Sequence, residues 1–551
     1  MLLSVAIHEK SFGTKVLYRD LAFSIEQGEK VGLIGGNGTG KSTLFDIIAG
    51  QDHDYDGEVI LKRGAILVSS RQEHHGFEGI TVLEYLQGDL PEYKKLARII
   101  DAYPATMGAD TRKLQIYSDA LERFGQLGYY QLEDELDQAF ERYQIDPATM
   151  HRTLGQLSGG QRRMVELIKV QRSRGHLALI DEPTNHMDFV AKETFIKWLK
   201  AASEAIVVVT HDRDVLRSVD RILELRDGEM LSFKGNYDDY LRSNTQQVSS
   251  QVNEYDITQR RIKKLEEDVI RFKRLKERSR DPGTIRRFKS QEQWARDELA
   301  QLEALQKPSF WIDKESVASL PTKLASSYDT HKARTIRIKA RSAGGGTHRQ
   351  LIDVQEMSLG YERQPLFKDI SFRLHEGERL RLHGRNGAGK TTLVQAVLAQ
   401  ADKKPLTSKC FKGSISLDRQ LAIGVYDQEL DPSLLGMSLE DAIARMLDAK
   451  GLPVSQQQVK QLLGDYLFNP ASDGALTMER LSGGQKARFQ LMRMLAAEPS
   501  LLILDEPTNH LDLPSIEELE SALRRYEGAI IYISHDSYFA KALGGNEISI
   551  P

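Results

Sequence analysis

Apolar and polar positions along the 551 residues fall into two similar runs, with a stretch of different period between them. In the first run, apolar segments of strand length occupy residues 30–34, 177–180 and 206–210. In the second they occupy 379–383, 501–504 and 530–534. Helix-period segments separate them, so each run predicts an α/β fold with a largely parallel central sheet. Between the runs, residues 245–349 lose the β-branched segments and read instead as charged helix. Ile262, Leu265, Val269 and Phe272 recur every three or four positions, as do Ala295, Leu299 and Leu302. Asp281-Pro282-Gly283 between the two sets is a turn signal. The middle stretch therefore predicts an antiparallel helical hairpin with arms of about 30–50 Å. A looser tether, residues 309–349 with Ala343-Gly344-Gly345-Gly346 near its end, follows it.

The two runs are copies. Ser158 to Ser482, Glu182 to Glu506 and His211 to His535 are each 324 positions apart, the register of a duplicated domain. Upstream the copies drift: Gln72 to Ser158 spans 86 positions and Gln428 to Ser482 only 54. The surplus falls within residues 83–146, which read as amphipathic helix: a projecting arm or an enlarged helical subdomain. Three regions result, residues 1–244, 245–349 and 350–551.

Composition narrows the class. Charged residues make up 28% and hydrophobic ones 40%, as in an ordinary globular protein. No apolar run approaches the ~20 residues that cross a bilayer, and the N-terminus has no basic region ahead of its short apolar stretch, so neither a membrane anchor nor a signal peptide is expected. A single cysteine, Cys410, excludes an intramolecular disulfide or a cysteine-rich zinc module, and the cytoplasm is the expected compartment. Net charge is −4, yet residues 259–290 hold thirteen Lys/Arg against five Asp/Glu, a local excess of eight positive charges. Such a run is either a solvated helix face or a phosphate-contacting surface. Phe288 and Trp294 beside it could stack on bases or pack in the hairpin seam.

Gly35-Gly36-Asn37-Gly38-Thr39-Gly40-Lys41-Ser42, followed by Thr43, matches the phosphate-binding P-loop. So does Gly384-Arg385-Asn386-Gly387-Ala388-Gly389-Lys390-Thr391, followed by Thr392. Glycines let backbone N–H groups turn toward a phosphate, and the helix that follows adds its positive end. Lys41 and Lys390 would neutralise β- and γ-oxygens, and the hydroxyls of Ser42 and Thr391 would ligate Mg²⁺. Asp181 and Asp505 end apolar strands, where a carboxylate reaches the metal shell. Glu182 and Glu506, one residue on, are candidate bases for the attacking water. His211 and His535 recur at one offset as γ-phosphate contacts, and Gln72 and Gln428 fit Mg²⁺ and water. ATP and Mg²⁺ are the cofactors this set requires.

With Leu-Ser-Gly-Gly-Gln at 157–161 and again at 481–485, and Asp-Glu-Pro-Thr-Asn-His at 181–186 and 505–510, the set resembles the ABC ATPase superfamily. The resemblance implies that Ser158, Gly159, Gly160 and Gln161 cap the ATP held by Lys390. Ser482, Gly483, Gly484 and Gln485 would cap the ATP held by Lys41, and the bases would stack on Phe12 and Tyr361. The order cassette, charged hairpin, cassette, with Gly235-Asn236-Tyr237-Asp238-Asp239-Tyr240 before the hairpin, is similar to the ABC-F family in particular. That resemblance implies an ATPase whose two cassettes pair within one monomeric chain. It implies binding at the ribosomal E site beside 23S rRNA and action on P-site tRNA near the peptidyl-transferase centre. A short hairpin tip leans toward a translation factor over an antibiotic-resistance protein. A transporter subunit lacks its coupling partner here, and a DNA-structure-binding ATPase would need a tail beyond Pro551.

Overall fold

The computed structural model describes residues 1–12, 15–70, 76–88, 90, 92–106, 108, 110–173, 175–185, 187–303, 349–361, 364–426, 431–466, 468–470, 473–481, 483–509 and 511–551. The chain divides into two compact units, one of residues 1–237 with 336–551 and the other of residues 238–335. Both cassettes thus belong to one unit and the hairpin forms its own.

Each cassette contains the same two sheets. In the first, Leu3–Phe12 is central to an antiparallel sheet between Lys15–Ile25 and Asp56–Leu61. A second sheet runs in the order Leu67–Ser69, Leu177–Asp181, Ala205–Val209, Lys30–Gly35, Arg221–Arg226, Glu229–Lys234, parallel except for its last pair. In the second cassette the order is Ile423–Tyr426, Leu501–Asp505, Ala529–Ile533, Arg379–Gly384, Asn546–Ile550, parallel throughout. The α/β fold with parallel sheets is as the apolar runs predict. Leu177–Asp181 and Ala205–Val209 are buried at every position, which is why they read as unbroken apolar runs rather than alternating ones.

The length difference between cassettes lies in their helical parts. The partners of the bridge Thr81–Thr153 are 72 positions apart and those of its counterpart Ser438–Thr477 are 39 apart. The surplus is a pair of helices, Tyr93–Thr106 and Thr111–Gln126, the second capped by Asp110. They meet over a small core of Leu96, Ala120 and Phe124, closed by Tyr93 and Tyr129.

In the hairpin unit, helix Tyr237–Arg278 is 42 residues long, about 63 Å at 1.5 Å per residue. It starts inside the Gly-Asn-Tyr motif, ahead of the boundary expected at residue 245, and its arm exceeds the expected length. The returning helix is Pro282–Glu303. Pro282 and Gly283 are its first turn rather than a loop: Asp281 accepts from the Thr284 N–H at 2.7 Å, the side-chain cap that lets proline sit at the first helical position. Leu265 and Ala295 are fully buried in the seam, with Phe272 stacked on Phe288. The tether, residues 309–349 with the glycines 344–346, lies outside the described residues apart from residue 349.

Candidate functional site

The strand Lys30–Gly35 delivers the first P-loop and the helix Lys41–Ile48 follows it directly. Gly40, at φ 103°, caps that helix in the left-handed region, and a Cβ there would lie 2.6 Å from the Tyr18 hydroxyl oxygen. Gly389 does the same for the second cassette at φ 100°, with Phe367 in the role of Tyr18. Glycine is therefore required by backbone conformation and by packing together. Lys41 Nζ lies across the loop, donating to the Gly35 and Gly36 carbonyls at 2.8 and 3.0 Å. Lys390 Nζ donates to those of Gly384 and Arg385 at 2.7 and 2.8 Å.

Ser42 Oγ donates to Asp181 Oδ2 at 3.0 Å, and Thr391 Oγ1 to Asp505 Oδ2 at 2.8 Å. Among the described residues no group of three His, Cys, Asp or Glu could hold a metal alone. A hydroxyl and a carboxylate side by side, completed by phosphate oxygens and water, suit Mg²⁺, which is rarely caged by protein alone. Both pairs fit that ion.

Glu182 and Glu506 sit one residue past these strands at φ 45° and 46°, a conformation that costs energy for a residue with a Cβ. Backbone bonds hold it: Glu182 N–H to the Val209 carbonyl at 2.8 Å, Glu506 N–H to the Ile533 carbonyl at 3.0 Å. The turn aims each carboxylate at the histidine on the adjacent strand end. His211 Nε2 is 3.4 Å from Glu182 Oε1, and His535 Nε2 is 3.4 Å from Glu506 Oε1. Burial, reinforced by Asp181, pushes Glu182 up to about 8. Burial, reinforced by Asp505, pushes Glu506 up to about 7. Burial and the nearby P-loop lysines hold both histidines down at about 3. The histidines are thus neutral at physiological pH, and each glutamate can hold or release a proton near neutrality.

The cassettes meet at these sites. Asp512 Oδ2 accepts from the Asn37 N–H of the opposite P-loop at 2.9 Å, and Asp188 Oδ2 from the Asn386 N–H at 3.2 Å. The other oxygen of each caps its own helix, at Ser515 and Ala191. A cleft of about 900 Å³ is lined by Tyr361, Lys390, Thr391 and Glu506 of one cassette and by Ser158, Gly160 and Gln161 of the other. Ser158 and Gln161 form a reciprocal capping box: the Gln161 N–H donates to Ser158 Oγ at 3.2 Å, and the Ser158 N–H to Gln161 Oε1 at 3.0 Å. Ser-x-x-Gln is the spacing of such a cap, a local role that the sequence reading did not assign to these two residues. Tyr361, half exposed, ends the strand Gln350–Tyr361 at the mouth of that cleft.

Asn37, Gly38, Thr43, Gly387 and Thr392 occupy the P-loops and the helices behind them. Gly159 opens the first signature helix, and Gly483, Gly484 and Gln485 open the second. Gln72, Gln428 and Ser482 lie outside the described residues, as does the Phe12 side chain. Sequence reasoning passed over Lys192, Arg213 and Asp214, whose partners lie more than 300 positions away in the other cassette.

Two ABC transporter family models match the chain, one over residues 18–185 and again over 367–509, the other over 223–319. The Bacillus subtilis ATP-binding protein YdiF is 30% identical over 98% of this chain and 78% of its own length. The Escherichia coli ATP-binding protein YbiT is 27% identical over 98% and 94%, and the Arabidopsis thaliana ABC transporter F family member 5 is 26% identical over 98% and 74%. Among solved structures, an RNase-L inhibitor superposes with a TM-score of 0.56 at 17% identity, covering 99% of this chain and 87% of that one. A chain from ribosome-bound archaeal Pelota and ABCE1 superposes at 0.53 and 17% identity, covering 99% and 76%. At that identity the likeness shows the fold. No helix among the described residues is long and apolar enough to cross a membrane. Matched twice by the cassette model and along nearly its whole length by such relatives, the chain belongs to the ABC-F family, an ATPase with two ABC cassettes.

Proposed function

We propose that the protein is a ribosome-associated translation factor: ATP-driven pairing of its cassettes favours binding at the E site beside 23S rRNA, and the hairpin acts on P-site tRNA near the peptidyl-transferase centre. In each cassette the P-loop lysine and backbone N–H groups hold the β- and γ-phosphates. Ser42 with Asp181, and Thr391 with Asp505, hold Mg²⁺, joined by Gln72 and Gln428. The ion supplies charge neutralisation on the phosphate oxygens. Glu182 and Glu506 take a proton from the attacking water, and the neutral His211 and His535 donate to the γ-phosphate from their Nε2 atoms. The signature residues Ser158–Gln161 close the site of Lys390, and Ser482–Gln485 that of Lys41. The bases stack on Tyr361 and Phe12.

The observation that carries the ribosomal reading is the charge pattern of the hairpin. Arg260, Lys263, Lys264, Arg271, Arg274 and Arg278 are all exposed. At 100° per residue they share one stripe of the long helix with the exposed Glu267, turned about 140° from the seam of Leu265 and Phe272. Arg261, by contrast, turns to Glu298 at 2.9 Å and Lys276 to Glu292 at 2.5 Å, so those cations serve the hairpin itself. Phe288 packs in the seam, whereas Trp294 is 57% exposed with the Arg261 guanidinium 5.7 Å from its ring centre. Arg271 of that row also pairs with Asp268 at 3.5 Å. A row of exposed cations with one exposed aromatic suits RNA phosphates and a splayed base. The ribosome-bound ABCE1 neighbour supports the same reading. The turn of three residues between Arg278 and Pro282 favours a translation factor over a drug-displacing protein.

The test is co-sedimentation of the Glu182→Gln/Glu506→Gln protein with ribosomes and ATP at two salt concentrations. ATP-dependent association that inhibits translation, and weakens when three of the stripe cations become glutamine, is the expected result. No association with ATP still bound would reject the reading, and competition by branched DNA would put a DNA-structure-binding ATPase in its place.

A further inference from the structure

The two nucleotide sites are copies within their own cassettes, but the surface each meets across the interface is not. Lys192, on the helix Phe189–Ala201 of the first cassette, is nearly buried between the cassettes. Its Nζ is 2.7 Å from Asp214 Oδ2 and 3.2 Å from Asp212 Oδ2. It also donates across the interface to the backbone carbonyl of His535, at 3.3 Å. Asp214 Oδ2 is further engaged by Ser537 Oγ of the second cassette at 3.0 Å. Alongside, Arg213 reaches Glu520 at 3.3 Å and Glu517 at 3.7 Å, and its guanidinium lies 5.1 Å from the Tyr538 ring centre. Burial pulls the Lys192 ammonium down, but Asp212, Asp214 and Asp536 outweigh it, so the charge is kept.

The internal register of 324 gives the counterparts. Lys192 corresponds to Ile516, Arg213 to Ser537, Asp214 to Tyr538 and Glu520 to Ile196. The contact that Lys192 makes with the His535 loop would be repeated at the other site by Ile516 on the His211 loop. An isoleucine has no donor. The clasp is therefore built once, on the loop that carries the histidine of the Lys390 site.

We infer that Lys192 is a positioning residue for ATP hydrolysis at the Lys390 site alone: by holding the His535 carbonyl from the opposite cassette it sets the His535 ring against Glu506 only when the cassettes are paired. The Lys41 site, with Ile516 in that place, does not depend on it. This rests on the assignment of Glu182 and Glu506 as the bases above. The physical reason is the short lever: the carbonyl and the ring belong to one residue, so a peptide plane left to rotate carries Nε2 away from its 3.4 Å approach to Glu506. The aspartates on the near side of Lys192 fix its ammonium, so the grip is charge-assisted and directional.

The test uses the full chain in two backgrounds. Glu182→Gln leaves turnover to the Lys390 site and Glu506→Gln leaves it to the Lys41 site. Lys192→Ile, the residue of the other half, is expected to lower kcat about tenfold in the Glu182→Gln background with KM for ATP within twofold. In the Glu506→Gln background it should change kcat less than twofold, and Lys192→Arg should restore most of the loss. Equal losses in both backgrounds, or none in the first, would overturn the inference. The double glutamine variant is the control. If it still hydrolyses ATP at the parent rate, the base assignment has failed, and a second readout decides. The ring resonances of ¹³C-labelled His535 and His211, assigned with glutamine variants, should move at His535 alone on Lys192→Ile. Movement at both, or neither, rejects the positioning role whatever the base. Unchanged melting temperature of Lys192→Ile separates either result from misfolding.

Discussion

Set beside each other, the Lys41 and Lys390 sites agree where the chemistry is and differ where the cassettes touch. The hydroxyl–carboxylate pair measures 3.0 Å in one and 2.8 Å in the other, and the histidine–glutamate approach is 3.4 Å in both. Both glutamates share the same left-handed backbone. Around that common centre, one histidine loop accepts from Lys192, while the register of 324 puts Ile516, which has no side-chain donor, in the equivalent position of the other half. Burial raises both glutamates alike, to about 8 and about 7. A duplicated domain can thus keep its strand-end carboxylates, histidines and P-loop hydroxyls fixed while its two halves diverge at the seam, because a seam contact needs complementarity only with the other half.

The largest test of this comparison removes the shared part. The Glu182→Gln/Glu506→Gln protein should lose about 10²–10⁴-fold in turnover, the usual worth of a general base, while nucleotide binding measured by equilibrium dialysis persists. Each single variant should keep the turnover of the site left intact. Unequal remainders would measure how far the sites have diverged.

Next in size is the P-loop. Gly40→Ala places a methyl group against the Tyr18 hydroxyl at a left-handed position, and Gly389→Ala does so against Phe367. Both should abolish ATP binding at their own site and leave the other, as read by photolabelling with an azido-ATP and mapping of the labelled peptide.

The glutamates give a graded difference. A base must be deprotonated to accept a proton, and kcat/KM reports the free enzyme. Below its pKa, each site should therefore lose about tenfold per pH unit as the carboxylic acid accumulates. With Glu506→Gln the profile should rise to a plateau above about pH 8, and with Glu182→Gln above about pH 7. Profiles already flat below pH 6 would show that neither carboxyl is raised.

The smallest effect concerns the capping aspartates. Asp188→Ala and Asp512→Ala should each cost about 1 kcal/mol of stability by calorimetry, the typical worth of a helix N-cap. Losing the partner of the opposite P-loop should also loosen ATP binding, more so for Asp512 with its 2.9 Å bond than for Asp188 at 3.2 Å.

Much of the candidate sites' local geometry was legible because it is set within a few residues. A glycine pattern and a strand-end carboxylate each act within a few residues, so spacing alone reports them; the Ser-x-x-Gln helix cap is as local, but the reading of those residues as nucleotide contacts passed it over. The hairpin was legible for the same reason, its seam repeating every three or four residues. Lys192 was not, since a lysine in a helix of mixed polarity carries no sign of a carbonyl 343 positions away. Nor did the start of the long helix show, because Tyr237 continues a polar motif into helix without a break in composition. The residues enlarging the first cassette read as amphipathic helix, but their separate core of Leu96, Ala120 and Phe124 emerges only when the two helices fold back.

The forked aspartates have a consequence for how such a chain can evolve. One oxygen of Asp512 finishes a helix of its own half while the other completes the backbone of the opposite half, and Asp188 returns the arrangement. Neither half is finished alone. A gene shortened to one half would leave an oxygen and an N–H seeking partners, and only a second molecule presenting the same fork could supply them. Fusion of the halves makes that encounter unimolecular, so mutual completion no longer depends on concentration, and each half is free to lose its fit to copies of itself.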